Sequence, residues 1–313
     1  MTQTAAIRET GMDGLTERFE HERRGLLAHS YRMLGTWDEA EDAVQEAYLR
    51  AFKGWSAFEQ RSSVRVWLYR IATNVCLSAL TGRGRRALPS DGVTEPGAWI
   101  QPIPSALVGA DPAAEVVARE GVRLAFVAGL QLLPARQRAV LLLRDVLAFP
   151  AAEVATMLDI SVAAVKSALQ RARATIAEAA PAPDRITEPA DPRTRELLEA
   201  YMAAWEHADP AAFARVLRAD AVLSMVPSGV RADGNTACLA LAATAMDGGW
   251  RMEAAGANGQ PAALAWWHGE PYGVAVLTVA ADGIAAVTVF ADAALVDRFA
   301  RPAATGGPGP GRP

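Results

Sequence analysis

The chain has 313 residues, of which 51% are hydrophobic and 21% are charged. This balance is typical of folded domains, and the length suffices for two or three of them. The formal net charge of −4 does not predict a nucleic-acid-binding protein, but binding depends on local fields, and the charges are segregated. Positions 38–46 hold five acids and no base, whereas positions 61–86 hold six arginines and no acid.

Several protein classes are disfavoured by what the sequence lacks. No run of 18 apolar residues predicts a membrane-spanning helix. Residues 1–14 lack the basic start and apolar stretch of a signal peptide. Cys76 and Cys238 lie far apart and form no metal-ligand pattern, so we expect a disulfide-free cytoplasmic protein without metal or cofactor.

The first predicted domain, residues 15–86, has apolar residues at helical spacing in three segments. The first helix is expected to end near Gly35, and the second to begin with acids in its first turn, where the helix dipole favours them. The third follows a break at 54–60. The predicted apolar face of the second helix consists of Ala40, Val44, Ala47, Tyr48, Ala51 and Phe52.

Residues 87–113 contain five prolines and predict a linker, although the stretch WIQPIP at 99–104 is apolar enough to dock on a domain. Residues 114–180 are again predicted to be helical, and 181–191 to be a second linker. Within 151–170 the pattern fits a helix-turn-helix, with Asp159 in a left-handed turn and Ser161 capping the second helix. The alternative is a plain helical hairpin with a solvated basic face.

Residues 192–300 change character and predict a separate α+β domain. Two helices come first, with Asp209 as an N-cap and Pro210 in the first turn. Strand-like runs follow, and the last is expected to turn at Asp282-Gly283. The tail, residues 301–313, is predicted to be disordered. An enzyme would need an acid/base pair here, and the candidates are Tyr201, His207, Asp220 and His268.

Three stretches, DEAEDAVQEAYLRAFKGW, VRVWLYRIATNVCLSAL and LPARQRAVLLLRDVLAFPAAEVATMLDISVAAVKSALQRAR, occur in the order typical of bacterial extracytoplasmic-function sigma factors, which the chain resembles over residues 15–178. ANGQPA at 257–262 and VDRFARP at 296–302 are similar to the SnoaL-like (NTF2-like) extension of one sigma subgroup. The resemblance implies a multidomain fold. Two all-α sigma domains, a region 2 helical bundle and a region 4 helix-turn-helix, would precede a cone-shaped α+β domain.

The resemblance also implies three sets of interface residues. The set that would bind RNA polymerase is Asp38, Glu39, Glu41, Asp42, Gln45 and Glu46. The set at the −10 promoter element would be Arg61, Ser62, Ser63, Arg65, Arg70, Asn74, Arg83, Arg85 and Arg86. The set at the −35 element would be Ser161, Lys166, Ser167, Gln170, Arg171 and Arg173. Lys166 departs from the family, in which Asn is common.

The preferred interpretation is therefore a sigma factor that binds core RNA polymerase and promoter DNA and initiates transcription of a gene subset. It would be neither an enzyme nor a membrane protein, and its C-terminal domain would be regulatory and contact the 87–113 linker. Whether that domain also binds a small-molecule ligand is left open by the sequence. The alternatives are a helix-turn-helix repressor or activator that binds duplex DNA alone, and a SnoaL-type enzyme fused to a DNA-binding region.

Overall fold

The structure, a computed structural model, describes residues 3–58, 62–83, 100–108, 123–179 and 191–300. The chain divides into two compact units. Residues 1–103 and 108–184 form the first unit, and residues 104–107 and 185–313 form the second. Most of each predicted linker and all of the predicted tail lie outside the described residues.

The first unit is helical, and a one-turn helix, α4, begins within the short stretch that belongs to the second unit. Among the described residues, the helices up to the start of the second domain are α1 (Gln3–Leu34), α2 (Trp37–Gly54), α3 (Val64–Arg83), α4 (Ser105–Val108), α5 (Leu124–Gln131), α6 (Ala135–Leu141), α7 (Ala151–Leu158) and α8 (Val162–Ala179). A single 3-10 turn, Trp55–Ala57, follows α2, and a π-helical turn, Leu142–Val146, continues α6.

Helices α1, α2 and α3 pack around one apolar core. The predicted core positions of α1 are all buried, namely Leu15, Phe19, Leu26, Leu27, Tyr31 and Leu34. Gly25 is required at the crossing of α1 and α3, because a Cβ atom there would lie 2.3 Å from the Tyr69 hydroxyl. One expectation for α2 is wrong. Phe52 is 43% exposed, because none of the described helices covers that side of the last turns of α2.

Helices α5 to α8 pack onto this bundle within the same unit. Arg138 of α6 is only 4% exposed, and its guanidinium donates hydrogen bonds to the backbone carbonyls of Met33, Gln131 and Leu133. Met33 lies in the last turn of α1, where the carbonyls have no partner within the helix. The buried Arg138 side chain therefore joins the two helical domains by donating hydrogen bonds to backbone carbonyls near their helix ends.

The second unit is an α+β domain. Its helices are α9 (Pro192–Glu206), α10 (Pro210–Val216), α11 (Asn235–Ala243) and α12 (Ala293–Ala300). Its strands are β1 (Leu217–Val226), β2 (Val230–Asp233), β3 (Trp250–Ala257), β4 (Gln260–Trp267), β5 (Glu270–Ala280) and β6 (Gly283–Phe290). They form one sheet in the order β2-β1-β6-β5-β4-β3, in which β1 and β6 are parallel and every other pair is antiparallel.

Local sequence signals explain much of this domain. The Asp209 side chain accepts a hydrogen bond from the Ala212 N–H (2.8 Å) and caps α10 as predicted. The β5–β6 hairpin turns beside Asp282 and Gly283, also as predicted. The α+β character predicted for residues 192–300 and the helical character of the preceding domains are both confirmed.

Candidate nucleic-acid and polymerase interfaces

The acidic set predicted for polymerase binding lies on the outer side of α2. The helix buries Trp37, Ala40, Ala43, Val44, Ala47 and Ala51. Spacings of three and four residues put these apolar side chains on one face. Asp38, Glu41, Asp42 and Gln45 are consequently exposed, and Glu39 and Glu46 are partly exposed. The structure therefore brings all six predicted residues to one continuous side of a single helix.

Two apolar residues extend this side and were missed by the sequence analysis. Leu49 is 45% exposed and Phe52 is 43% exposed. They follow Gln45 by four and seven residues, so they continue the same helical face. Periodicity alone assigned Phe52 to the core. The apolar residues of α2 span a wider arc of the helix than two neighbouring helices can cover. That width was the signal in the sequence that some of them would be exposed.

The N-terminal end of α2 is held by a segment of the linker. The Gln101 side chain accepts a hydrogen bond from the Trp37 N–H (3.2 Å) and donates one to the Asp38 carboxylate (3.4 Å). Its backbone N–H donates to the Gly35 carbonyl (3.1 Å), and its carbonyl accepts from the Tyr31 hydroxyl (2.8 Å). Gln101 thus supplies a partner to an N–H that the helix leaves unpaired.

The predicted −10 set is only partly described. Ser62 and Ser63 precede α3 and are exposed, and the Ser63 hydroxyl accepts a hydrogen bond from the Val66 N–H (3.2 Å). Arg70 and Asn74 are exposed one turn apart on α3. Arg83 is the last residue of α3; its side chain, together with the whole of Arg61, Arg85 and Arg86, lies outside the described residues.

Arg65, also in the predicted −10 set, already has several contacts within the first unit. Its Nε atom lies 3.6 Å from the Glu22 carboxylate. Its guanidinium lies 5.4 Å from the ring centre of Tyr69 and 4.9 Å from that of Phe149, a residue between α6 and α7. These separations are within the range of cation–π attraction. Arg65 is therefore less available to DNA than Arg70.

The helix-turn-helix is present at α7 and α8. Asp159 ends α7 with left-handed backbone angles (φ 53°, ψ 53°), and the Ser161 hydroxyl accepts a hydrogen bond from the Ala164 N–H (3.1 Å). Val165, Ala168, Leu169 and Ala172 of α8 are buried. Val162 lies on the same side of the helix but is 41% exposed. It lies in the first turn, beyond the reach of α7.

All six predicted −35 residues are exposed, five of them on α8 and Ser161 at its N-cap, but they differ in their partners. Arg173 donates two hydrogen bonds to Asp145, both at 2.8 Å. The Arg171 guanidinium donates to the Ser167 hydroxyl (2.6 Å). Lys166 and Gln170, four residues apart on the same outer face, project to solvent. We rank these two first among the candidates for base contacts in a major groove.

Buried polar groups between α1 and α3 stay uncharged. The Thr73 hydroxyl donates to the Tyr69 carbonyl (2.7 Å), so it accepts from Nε2 of His29 (2.9 Å). Burial, with a smaller effect of Arg32, lowers the pKa of His29 to about 3. Burial also raises the pKa of Tyr69 and that of the Cys76 thiol to about 12 each. These groups support the bundle and do not belong to an interface.

The candidate acid/base residues of the C-terminal domain do not converge. The concave side of the sheet and helices α9 and α11 enclose a cavity that is lined in part by Tyr201. His207, Asp220 and His268 are exposed and do not line this cavity. Asp220 is paired with Arg218, and His268 with Asp247. Among the described residues that line the cavity, none is Asp, Glu, His, Lys or Arg.

The described ranges hold neither a candidate metal site nor a helix able to span a membrane. They contain no group of three or more His, Cys, Asp or Glu side chains arranged to hold a metal ion. No helix in those ranges combines the length and hydropathy needed to cross a membrane. Cys76 and Cys238 are both buried and both free.

Comparison with known proteins agrees with this architecture. Residues 18–86 match the sigma-70 region 2 family, and residues 123–176 match the sigma-70 region 4 family. Proteins with these two domains are sigma factors, which are non-enzymatic transcription initiation factors.

The relatives specify the group. SigG of Mycobacterium tuberculosis, an extracytoplasmic-function RNA polymerase sigma factor, is 43% identical over 303 residues, covering 90% of this chain and 82% of the relative. SigJ of the same species is 34% identical over 221 residues, covering 68% and 67%. Its crystal structure superposes with a TM-score of 0.60 at 26% identity, covering 88% of this chain and 96% of SigJ. The chain belongs to the extracytoplasmic-function sigma factors, which bind RNA polymerase and initiate transcription at specific promoters.

Proposed function

We propose that this sigma factor binds core RNA polymerase through the outer side of α2. The observation that carries the proposal is the division of α2 into a fully buried apolar face and an opposite face with Asp38, Glu41, Asp42 and Gln45 exposed. An acidic face attracts a basic partner at long range and fixes its orientation on contact. Leu49 and Phe52 would add apolar area to the same contact, which the acids alone cannot supply.

The −10 element would be opened along α3. Taking a base out of the stack costs a few kcal/mol and needs compensating contacts. Arg70 and Asn74 lie one exposed turn apart, so a cation beside the strand and an amide for a base edge are available together. Arg61, Ser62, Ser63 and Arg65 would lie at the loop that captures the flipped base and at the start of the helix after it. Arg83, Arg85 and Arg86 would contact the phosphate backbone.

The −35 element would be read by α8. Lys166 and Gln170 would face the bases, with Ser161, Ser167, Arg171 and Arg173 at their sides. Because Asp145 holds Arg173 through two hydrogen bonds, Arg173 would give up an existing partner to reach a phosphate. Lys166 carries no such cost in the described contacts, so it would contribute more to affinity.

The C-terminal domain, proposed to span residues 192–300, would regulate rather than catalyse. Its cavity lacks an acid/base pair among the described residues. Pro104 of the linker bridges to Ala257, and the Gly259 N–H donates to the Ser105 hydroxyl (2.9 Å). These two contacts support the proposal that the 87–113 linker docks on the C-terminal domain. A domain that holds the linker between the two DNA-binding regions can bias their separation. We propose a cytoplasmic location for the same factor.

Site-specific photo-crosslinking tests these assignments in the full-length protein. A photoreactive residue at Asp42 should label core polymerase, and one at Asn74 or Gln170 should label promoter DNA. The matched control is Glu17, an exposed acid on α1. Equal labelling of polymerase from positions 17 and 42, or no DNA labelling from either 74 or 170, would overturn the assignments.

A further inference from the structure

The C-terminal domain contains a cavity of about 160 Å³ between α9, the end of α11 and the concave side of the sheet. We propose that this cavity binds a compact, uncharged, largely apolar molecule of one ring with a single polar substituent. The inference rests on the proposed regulatory role of this domain, because it assigns to the cavity a bound signal and not a reacting substrate.

The size of the cavity limits the ligand to a small molecule. A cavity of about 150 Å³ that is lined by apolar side chains holds benzene or xenon and excludes water. Drug-sized ligands occupy pockets of roughly 300 to 1,000 Å³. A space of about 160 Å³ therefore suits roughly one substituted six-membered ring. It is too small for a four-ring skeleton.

The walls of the cavity favour an aromatic or alicyclic ring. Trp250 packs edge-to-face against Trp205 (5.3 Å between ring centres) and Tyr272 (4.9 Å). Edge and face contacts of this kind extend naturally to one more ring. Met225 and Met252 also line the space, and their unbranched side chains adapt to irregular apolar ligands.

The same walls exclude a charged ligand. No described lining residue has an ionisable Asp, Glu, His, Lys or Arg side chain. Moving an unpaired carboxylate or ammonium out of water into such a site is strongly unfavourable. Binding would thus select the neutral member of a pair of molecules with nearly the same shape.

One polar group of the ligand would have partners at Tyr201 and Trp205. Both residues line the cavity. Burial raises the pKa of the Tyr201 phenol far above its ordinary value and the nearby Trp205 lowers it in part, so the phenol keeps its proton. The buried indole N–H of Trp205 lies next to that phenol, at a geometry too poor for a full hydrogen bond. A ligand oxygen beside it would satisfy that donor, whose pairing when buried is strongly favoured.

The cavity is connected to the linker contact through one hairpin. Trp250 and Met252 at the start of β3 line the cavity, and β3 ends at the Asn258–Gly259 turn, which holds Ser105. Both turn residues have positive φ angles (56° and 65°), as this tight hairpin requires. A ligand that orders β3 would therefore act on the strand that carries the linker contact.

Isothermal titration calorimetry with full-length protein tests the proposal, with p-cresol as the probe and benzoate as its charged counterpart of similar shape. We expect one p-cresol per chain, and affinity for benzoate at least about tenfold lower. Ala242→Leu fills the cavity from α11, because Ala242 is 2% exposed and lines it. It should weaken p-cresol binding at least about tenfold. Ala243→Leu, at the adjacent exposed position, should leave binding unchanged.

Thermal unfolding establishes that each variant is folded. If Ala242→Leu does not fold, Ala265→Leu fills the cavity from β4 and takes its place in the comparison. The proposal is overturned by absent p-cresol binding at about 1 mM, by equal affinity for benzoate, or by a folded cavity-filling variant with unchanged affinity. Transcription assays without p-cresol report on the sigma function separately, so either conclusion can fail without the other.

Discussion

Arg173 of the recognition helix and Asp145 after α6 form a two-pronged ion pair, with Nε–Oδ2 and Nη2–Oδ1 distances of 2.8 Å each. The Arg173 side chain is 61% exposed and the Asp145 side chain 29%, so water screens the pair and its contribution to stability is small. If Arg173 contacts promoter DNA as proposed, a phosphate and the Asp145 carboxylate would compete for the same guanidinium. The predicted −35 cations are therefore unequal.

Replacing Lys166 should weaken promoter binding, and the salt dependence of the loss distinguishes a phosphate contact from a base contact. Each phosphate contact contributes about 0.9 to the slope of log affinity against log salt. Lys166→Ala should make the slope shallower by about 0.9 if Lys166 contacts a phosphate. If it contacts only bases, the slope should hold while sequence preference relaxes. Fluorescence anisotropy of labelled promoter with the reconstituted holoenzyme measures both, and Arg195→Ala, at an exposed position on α9, is the control.

Replacing Asp145 should have the opposite effect. Asp145→Asn removes the carboxylate that holds Arg173, so the released guanidinium can contact phosphate and the slope should become steeper by up to about 0.9. The same anisotropy titration applies, with Glu178→Gln near the end of α8 as the matched neutral control. An unchanged slope in Asp145→Asn would show that Arg173 does not reach the DNA.

Charge reversal on α2 should disrupt polymerase binding without disturbing the fold. Asp42 is exposed opposite the buried face, so Asp42→Arg places a cation against a basic partner. We expect affinity for core polymerase to fall at least about tenfold, equivalent to roughly 1.4 kcal/mol, and the loss to shrink at high salt. Surface plasmon resonance measures it, and Glu17→Arg should bind as wild type. A similar loss in both variants would contradict the assigned face.

His29 should make the helical bundle less stable in acid. Its pKa is lowered to about 3 in the folded protein, against about 6.5 when unfolded. Protons therefore bind the unfolded chain first, and stability is full above pH 6.5 and is lost as the pH falls towards 3. The loss between pH 7 and pH 5 should be about 2 kcal/mol.

Urea unfolding at pH 7 and pH 5 measures this loss. His29→Gln should reduce the difference between the two pH values, although it lowers stability at both, since the Thr73 contact changes. His207→Gln, at an exposed position, is the control and should retain the full difference. The expectation is wrong if His29→Gln and wild type lose the same free energy of unfolding.

Sequence alone predicted those parts of the fold that depend on local signals. The turn of the helix-turn-helix followed from Asp159, which tolerates a left-handed conformation, and from Ser161, which can cap α8. The core of α1 followed from helical spacing. The exposed acidic set of α2 was implied by the resemblance to sigma factors. The structure agrees with the turn, with the core of α1 and with the exposure of the α2 acids.

The rest depends on contacts between residues distant in sequence. Periodicity identified an apolar side of α2 but not how much of it neighbouring helices would cover, so Phe52 was assigned to the core. β3 was missed because much of the strand is exposed and its sequence, WRMEAAGA, has little β-propensity. Asp145 and Arg173 are 28 residues apart in sequence. Gln101 lies 63 residues from Asp38 and 64 from Trp37. No local sequence pattern indicates contacts over such separations.

Run-off transcription measures whether this chain acts as a sigma factor. Full-length protein and purified core polymerase would be combined on a template that carries the region upstream of the protein's own gene. We expect a transcript that requires both components, that is lost in Asn74→Ala and Asp42→Arg, and that persists in Glu17→Arg. Duplex binding without polymerase, with no transcript under any condition, would contradict it and favour a stand-alone DNA-binding regulator.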